Sequence, residues 1–454
     1  MKVAMIVSEM EPFAKTGGLA DVAGALPRAL GKLGIEVHAL LPRYSCVKEK
    51  GARISAGPGV TVHFIEHEGY FNRRALYGES NGDYPDNLER FSFFCRQALE
   101  RLKSDGIRPD LVHAHDWQAA LSVVYLSTQL KADPFFAKAR SVFTIHNLAY
   151  QGLFPKDQYP RLGLGQELFN INGLEFYDQV NLLKGGLVFA GAITTVSPAY
   201  AQEIQTEEQG ERLEGVLRMR SKDLVGILNG IDQEIWNPAG DSHLPHRYDH
   251  RDLRGKGKNK AALQKEVGLP VDPKAFLIGM VSRLAAQKGL DLVVQALPRL
   301  AKLGAQLVVL GSGDRAIEES LTRASSQFPT IRLRVAFDSA LAHRIYAGAD
   351  AFLMPSRYEP CGLGQMIAMR YGTPAIVRST GGLADTVAED PSGGNGFCFQ
   401  SIDAGAMVEA VERALRAWRR PAQWGKLRER GMRSDFSWDR SAKEYLGLYE
   451  RLVG

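Results

Sequence analysis

Short β-rich apolar runs alternate with longer stretches of helical period along almost the whole chain, and this alternation restricts the fold more than any other feature. It is the pattern of parallel sheets with crossover helices. In the first half, strands are expected at residues 3–7, 37–41, 60–65, 111–115, 141–146, 193–196 and 225–228. In the second half they are expected at 276–281, 306–310, 333–336, 351–354 and 375–377. Between the halves, residues 237–260 (NPAGDSHLPHRYDHRDLRGKGKNK) are polar, rich in Pro, Gly and His, and lack an apolar period. That stretch reads as a domain linker. A chain of 454 residues has room for two doubly wound α/β domains, which bind ligands at the carboxyl ends of their strands.

Composition excludes several classes. No apolar run approaches the roughly 18 residues of a membrane span. The N-terminal MKVAMIVSEMEPF has too short an apolar stretch for a signal peptide and reads as a first buried strand. Cys46, Cys95, Cys361 and Cys398 lie far apart with no CxxC pair, which points to a reducing, cytoplasmic setting without disulfides or zinc. The net charge is +5, but Lys and Arg are scattered, so no nucleic-acid partner is expected. The densest basic runs, 254–260 and 413–433, read as solvated faces or linkers.

One hexapeptide occurs twice. TGGLAD stands at positions 16–21 and again at 380–385, each time after an apolar strand and at a helix start. Glycines let backbone approach a ligand closely, and free N–H groups at a helix start attract anions. The pair therefore reads as two anion-facing turns, one per domain. Coincidence of two helix-opening glycine turns is the plain alternative.

Seven segments in order resemble the bacterial glycogen synthase and plant starch synthase family. They are KTGGLADV at Lys15, HAHDW at His113, TIHNLAYQG at Thr144, LNGID at Leu228, SRLAAQKGLDL at Ser282, PSRYEPCGLGQ at Pro355 and STGGLADTV at Ser379. The resemblance covers nearly the whole chain. It implies a GT-B fold, with two Rossmann-like domains facing across a cleft. It implies residues 1–240 as the acceptor-side domain, 241–435 as the nucleotide-sugar domain, and 436–454 as a segment returning to the first. The implied activity is transfer of glucose from ADP-glucose to the non-reducing end of an α-1,4-glucan, with retention at the anomeric carbon and no cofactor.

Arg283 and Lys288 follow a strand and flank a turn, so both are placed to reach a diphosphate. Glu359 opens EPCGLGQ after the strand at 351–354 and is suited to sugar hydroxyls and to positive charge at the anomeric centre. Related retaining transferases carry a second Glu eight residues on, where this chain has Ile367. By resemblance His146 lies over the reacting sugar. Lys15, Gly17, Gly18, Asp21, Asn229, Cys361, Gly362, Leu363, Thr380, Gly381 and Gly382 surround the donor, with both pairs of glycines presenting amides. Phe337, where the family more often has Tyr, stacks on the adenine. Tyr84, Asp116 and Trp117 stand on the acceptor side, Tyr84 and Trp117 as candidates for sugar stacking, with core packing the equal alternative for either aromatic. Gly364 departs from the Thr more usual there. His113 and His115 form an HxH with no third ligand at sensible spacing, and the chain has no DxD, so no metal is expected. A GT-B epimerase, a catalytically silent glucan-binding protein and a dinucleotide dehydrogenase are the competing readings. The aromatic acceptor region argues against the first. Retention of Lys15, Arg283, Lys288 and Glu359 argues against the second. The lack of G-x-G-x-x-G argues against the third.

Overall fold

The computed structural model describes residues 1–79, 82–390 and 392–454. It divides into two compact units, one of residues 1–230 with 438–454 and one of residues 231–437.

The first unit is built on an eight-stranded sheet in the order Leu224–Gly226, Ala192–Thr195, Arg140–Ile145, Leu111–His115, Lys2–Ile6, Glu36–Pro42, Val60–Ile65 and Arg53–Gly57. Every neighbouring pair is parallel except the last, where Arg53–Gly57 runs antiparallel to Val60–Ile65. The central strands are buried along their length, as expected of parallel strands covered on both faces. The helix Gly18–Lys32 lays Val22, Ala23, Leu26, Ala29 and Leu30 into one core with Val3, Met5, Val37 and Val62. The C-terminal helix Trp438–Val453 completes that core with Trp438, Ala442, Tyr445, Leu448 and Tyr449. Two polar bonds fix it: Ser441 Oγ donates to the Leu228 carbonyl at 2.6 Å, and Tyr449 Oη meets His113 Nδ1 at 2.7 Å.

The second unit holds a six-stranded, wholly parallel sheet in the order Ile331–Val335, Gln306–Gly311, Leu277–Val281, Ala351–Met354, Ala375–Arg378 and Phe397–Phe399. Helices Leu290–Lys302 and Ala404–Trp418 close one face with Leu292, Val293, Leu297, Met407, Val411 and Leu415.

The expected linker needs correction. Within 237–260, Asp241, Leu244 and Tyr248 are buried, and residues from Arg254 onward open the helix Arg254–Val267. The basic run there is not a solvated face. Lys256 Nζ is buried and donates to the carbonyls of Ala347 (3.0 Å) and Tyr371 (3.1 Å) and to Thr373 Oγ1 (2.5 Å). Lys260 Nζ pairs with Asp350 at 2.7 Å. The carbonyls lie at the C-terminal ends of helices Ser339–Gly348 and Gly364–Arg370, where a cation is favoured, and that of Tyr371 also accepts the Tyr248 hydroxyl at 2.7 Å. Burial pushes the Lys256 ammonium well below its ordinary pKa. Among the described residues, no helix is long and apolar enough to cross a membrane.

Candidate active site

In the first unit, the expected residues gather where the central strands end. Residues 7–17 lead from the strand Lys2–Ile6 into the helix Gly18–Lys32 and carry Lys15 and Gly17 at their end. Lys15 Nζ donates to Asp21 Oδ1 at 2.6 Å, and burial raises the Asp21 pKa against the lowering pull of Lys15. Nothing lies within 4 Å of where a Cβ on Gly17 or Gly18 would stand, so the space before this turn is open. The Gly17 amide is not open: it donates to Glu9 Oε2 at 3.1 Å. The expectation that Gly17 and Gly18 both present amides is therefore corrected, and it is Gly18 that keeps its N–H.

Asp116 starts the helix Asp116–Ser127 with φ of 55°, a left-handed conformation uncommon outside glycine. Its carboxylate accepts the His146 amide at 2.7 Å and so holds the loop that follows the strand Arg140–Ile145. Burial pushes the Asp116 pKa up to about 7. His115 Nδ1 and His146 Nε2 share a hydrogen bond of 2.9 Å, while His113 bonds Tyr449 and Thr144. Burial lowers His113 and His146 to about 3 and His115 well below its usual value. All three rings are thus neutral at pH 7. His146 keeps only Nδ1 for a further bond, as neutral donor or acceptor and not as a cation.

Trp117 is a correction. It is 8% exposed, edge-on to Phe91 (5.0 Å) and Phe154, and Gly152 packs on its ring so closely that a Cβ would stand 2.6 Å away. It is a core residue and offers no open face for a sugar. Tyr84 is partly exposed; its hydroxyl donates to Glu79, and the guanidiniums of Arg73 and Arg90 lie 4.8 and 5.0 Å from its ring. Asn229 is buried, with Oδ1 lacking a hydrogen-bond partner.

In the second unit, Arg283 is exposed beyond the end of Leu277–Val281. Lys288 ends the short helix Ala286–Lys288, and its Nζ meets Glu359 Oε2 at 2.6 Å. Ser356 Oγ donates to the same oxygen at 2.8 Å. The ammonium has three donors, so two remain for another anion. Phe337, just past the strand Ile331–Val335, is 88% exposed.

The second TGGLAD behaves unlike the first. Gly381 has φ of 45°, and a Cβ there would stand 2.0 Å from the Glu359 carbonyl; one on Gly382 would stand 2.1 Å from the Cys361 carbonyl. The Gly382 amide donates to the Glu359 and Pro360 carbonyls. These glycines exist so that Thr380–Gly382 can lie against the 359–362 backbone, and the expectation that Gly382 offers its amide to a ligand is corrected. Thr380 and Cys361 are buried. Gly362 takes φ of 72°, and Leu363 caps the helix Gly364–Arg370. At Gly364 a Cβ would meet the Phe352 ring at 3.1 Å and Met354 Sδ at 3.4 Å, so glycine is the residue this packing fits.

Glu9 is the residue sequence reasoning passed over. It is buried at 4% exposure beside the first turn. The one available signal was a carboxylate just past a strand end and before KTGG.

Comparison with known proteins identifies the family and the fold. Residues 2–219 match the starch synthase catalytic domain family, and residues 262–430 match glycosyl transferases group 1. The chain is 50% identical over 476 residues to a glycogen synthase of Anaeromyxobacter dehalogenans (strain 2CP-C), covering 100% of both chains. It is 47% identical over 479 residues to a glycogen synthase of Syntrophotalea carbinolica, covering 100% of this chain and 99% of the relative. The catalytic domain of starch synthase IV from Arabidopsis thaliana, solved with ADP and acarbose, superposes with a TM-score of 0.91 at 39% identity over 99% of each chain. Two doubly wound units, matched in order by two glycosyltransferase domains, constitute the GT-B fold, and the chain belongs to the glycogen synthase and starch synthase family of glycosyltransferases.

Proposed function

We propose that this chain extends α-1,4-glucans at their non-reducing ends, taking glucose from ADP-glucose with retention of configuration and without a metal. The observation that carries the reading is the Lys288–Glu359 pair at 2.6 Å, set with Arg283 at the carboxyl ends of the strands of one parallel sheet. Breaking a sugar–phosphate bond places negative charge on the diphosphate as it leaves. Arg283, with a planar fork, and Lys288, with two unused donors, supply positive charge aimed at that group, which is typically the largest catalytic contribution.

Glu359 serves first to orient Lys288 through Oε2, which leaves Oε1 for a sugar hydroxyl. The exposed Phe337 ring suits stacking on a purine. In the first unit, the turn at Gly17–Gly18 faces open space, and Lys15 and the Gly18 amide beside it are suited to an anion. The neutral His146, held by His115 and Asp116, provides one hydrogen bond to a sugar hydroxyl. The relatives named glycogen synthase, and the starch synthase solved with ADP and acarbose, support the choice of donor and acceptor.

The test is incubation with glycogen and ADP-[14C]glucose or UDP-[14C]glucose, followed by counting label in precipitated glucan. Label from ADP-glucose at well over tenfold the rate from UDP-glucose is expected. No incorporation from either donor would refute the reading, and faster transfer from UDP-glucose would refute the donor.

A further inference from the structure

The first glycine turn already holds an anion of its own. Glu9 lies just past the strand Lys2–Ile6 and is almost wholly buried. Its Oε2 accepts the Thr16 amide at 2.5 Å and the Gly17 amide at 3.1 Å. Its Oε1 accepts the Thr16 hydroxyl at 2.6 Å and the Tyr77 hydroxyl at 2.8 Å. Tyr77 is itself fixed, because its carbonyl accepts Asn87 Nδ2 at 2.9 Å from the helix Asn87–Ser104, and its ring lies 5.9 Å from Phe91. Four donors therefore converge on one carboxylate. The two backbone donors immediately precede the helix Gly18–Lys32, where negative charge is favoured.

We propose that Glu9 is a positioning residue for glucosyl transfer: it clamps residues 16–17, so that Lys15 and the Gly18 amide point into the open space before the turn. The inference rests on the reading that this turn meets an anionic group of the substrate. It also states what the clamp needs, which is two acceptor oxygens and not a charge.

The geometry separates the two requirements. The donors on Oε2 are backbone N–H groups and cannot reverse. Those on Oε1 are hydroxyls, which can turn and accept instead. A glutamine with its oxygen on the amide side and its nitrogen on the hydroxyl side satisfies all four partners. An alanine satisfies none and leaves the turn free to shift, and misplacement by about 1 Å typically costs about 10²-fold in rate.

The experiment compares Glu9→Ala, Glu9→Gln, Tyr77→Phe and Lys15→Ala by steady-state kinetics with ADP-glucose and glycogen, alongside circular dichroism and thermal melting. Glu9→Ala is expected to lower kcat about 10²-fold with the KM for glycogen changed little. Glu9→Gln should recover kcat to within about fivefold of wild type, and Tyr77→Phe, which removes one donor of four, should fall between. If Lys15→Ala loses activity while folded Glu9→Ala keeps wild-type kcat, the clamp is wrong. If folded Glu9→Gln is as impaired as Glu9→Ala, charge and not acceptor geometry is what matters, and the proposal is overturned. If Lys15→Ala is itself as active as wild type, the reading of the turn fails instead. Should Glu9→Ala not fold, Glu9→Gln and Tyr77→Phe still decide, because a folded Glu9→Gln variant more impaired than Tyr77→Phe would contradict the two-oxygen account.

Discussion

Replacing Lys288 by alanine is expected to do two separable things. The first is catalytic: loss of one cation aimed at the leaving diphosphate should lower kcat by about 10²–10³-fold. The second comes from the ion pair. The Lys288 and Glu359 side chains are 14% and 8% exposed at an N–O distance of 2.6 Å, so the alanine leaves a nearly buried carboxylate with the Ser356 hydroxyl alone. Breaking a fully buried pair from one side costs about 3–5 kcal/mol, and the residual access of Lys288 lowers this to about 2–4. For a unit of about 200 residues that corresponds to a fall in Tm of about 5–15 °C. Adding Glu359→Gln removes the stranded charge, so Lys288→Ala/Glu359→Gln should melt well above Lys288→Ala while remaining as inactive. Arg283→Ala is the contrast: the side chain is exposed, so kcat should fall comparably with stability changed by less than about 1 kcal/mol. Differential scanning calorimetry and initial-rate kinetics on the four proteins check the account. A Lys288→Ala protein melting within 1–2 °C of wild type, or a double variant no more stable than Lys288→Ala, would refute the coupling.

Gly18→Ala and Gly382→Ala should differ sharply despite identical motifs. The first has open space and should leave Tm within a few degrees of wild type. The second puts a Cβ about 2.1 Å from the Cys361 carbonyl and should abolish the cooperative fold of its unit, read by thermal melting. Activity should survive EDTA if Arg283 and Lys288 supply the positive charge as proposed; loss in EDTA restored by Mg²⁺ or Mn²⁺ would contradict this. The first unit should lose stability as pH falls below 6.5. There His113, His115, His146 and His63, all lowered by burial and the last to about 4, bind protons when unfolded before they do when folded. Asp116 runs the other way: its folded pKa is raised to about 7, so its penalty grows as pH rises from about 4 to 7 and is absent in acid. Asp116→Asn should therefore raise stability at pH 7 and steepen the loss towards pH 5, measured by urea denaturation; a pH profile unchanged by the substitution would contradict the assignment.

The sheets were legible because parallel strands buried on both faces must be almost continuously apolar, and runs such as Val3–Ile6 and Leu307–Leu310 are. The strands Arg53–Gly57 and Phe397–Phe399 were not anticipated: the first is a half-exposed edge strand with little apolar content, and the second is only three residues long. The helix Arg254–Val267 was hidden because its buried face includes Lys256, Asn259 and Lys260, which any hydrophobic period counts as solvent-facing. Motif order singled out Arg283, Lys288 and Glu359 as candidates. It could not show that two of them are each other's partners, nor that TGGLAD serves an open turn in one unit and close backbone packing in the other. Trp117 misled for a related reason, since an aromatic beside a polar motif reads the same whether its face is open or covered by Gly152.

The most direct test follows ADP-glucose and maltotetraose by ¹H NMR in buffer containing EDTA. The account predicts that each ADP released is matched by one new anomeric proton with the small coupling of an α-linkage, on chains lengthened at the non-reducing end. Release of free glucose in place of chain growth, or growth through β-linkages, would contradict it.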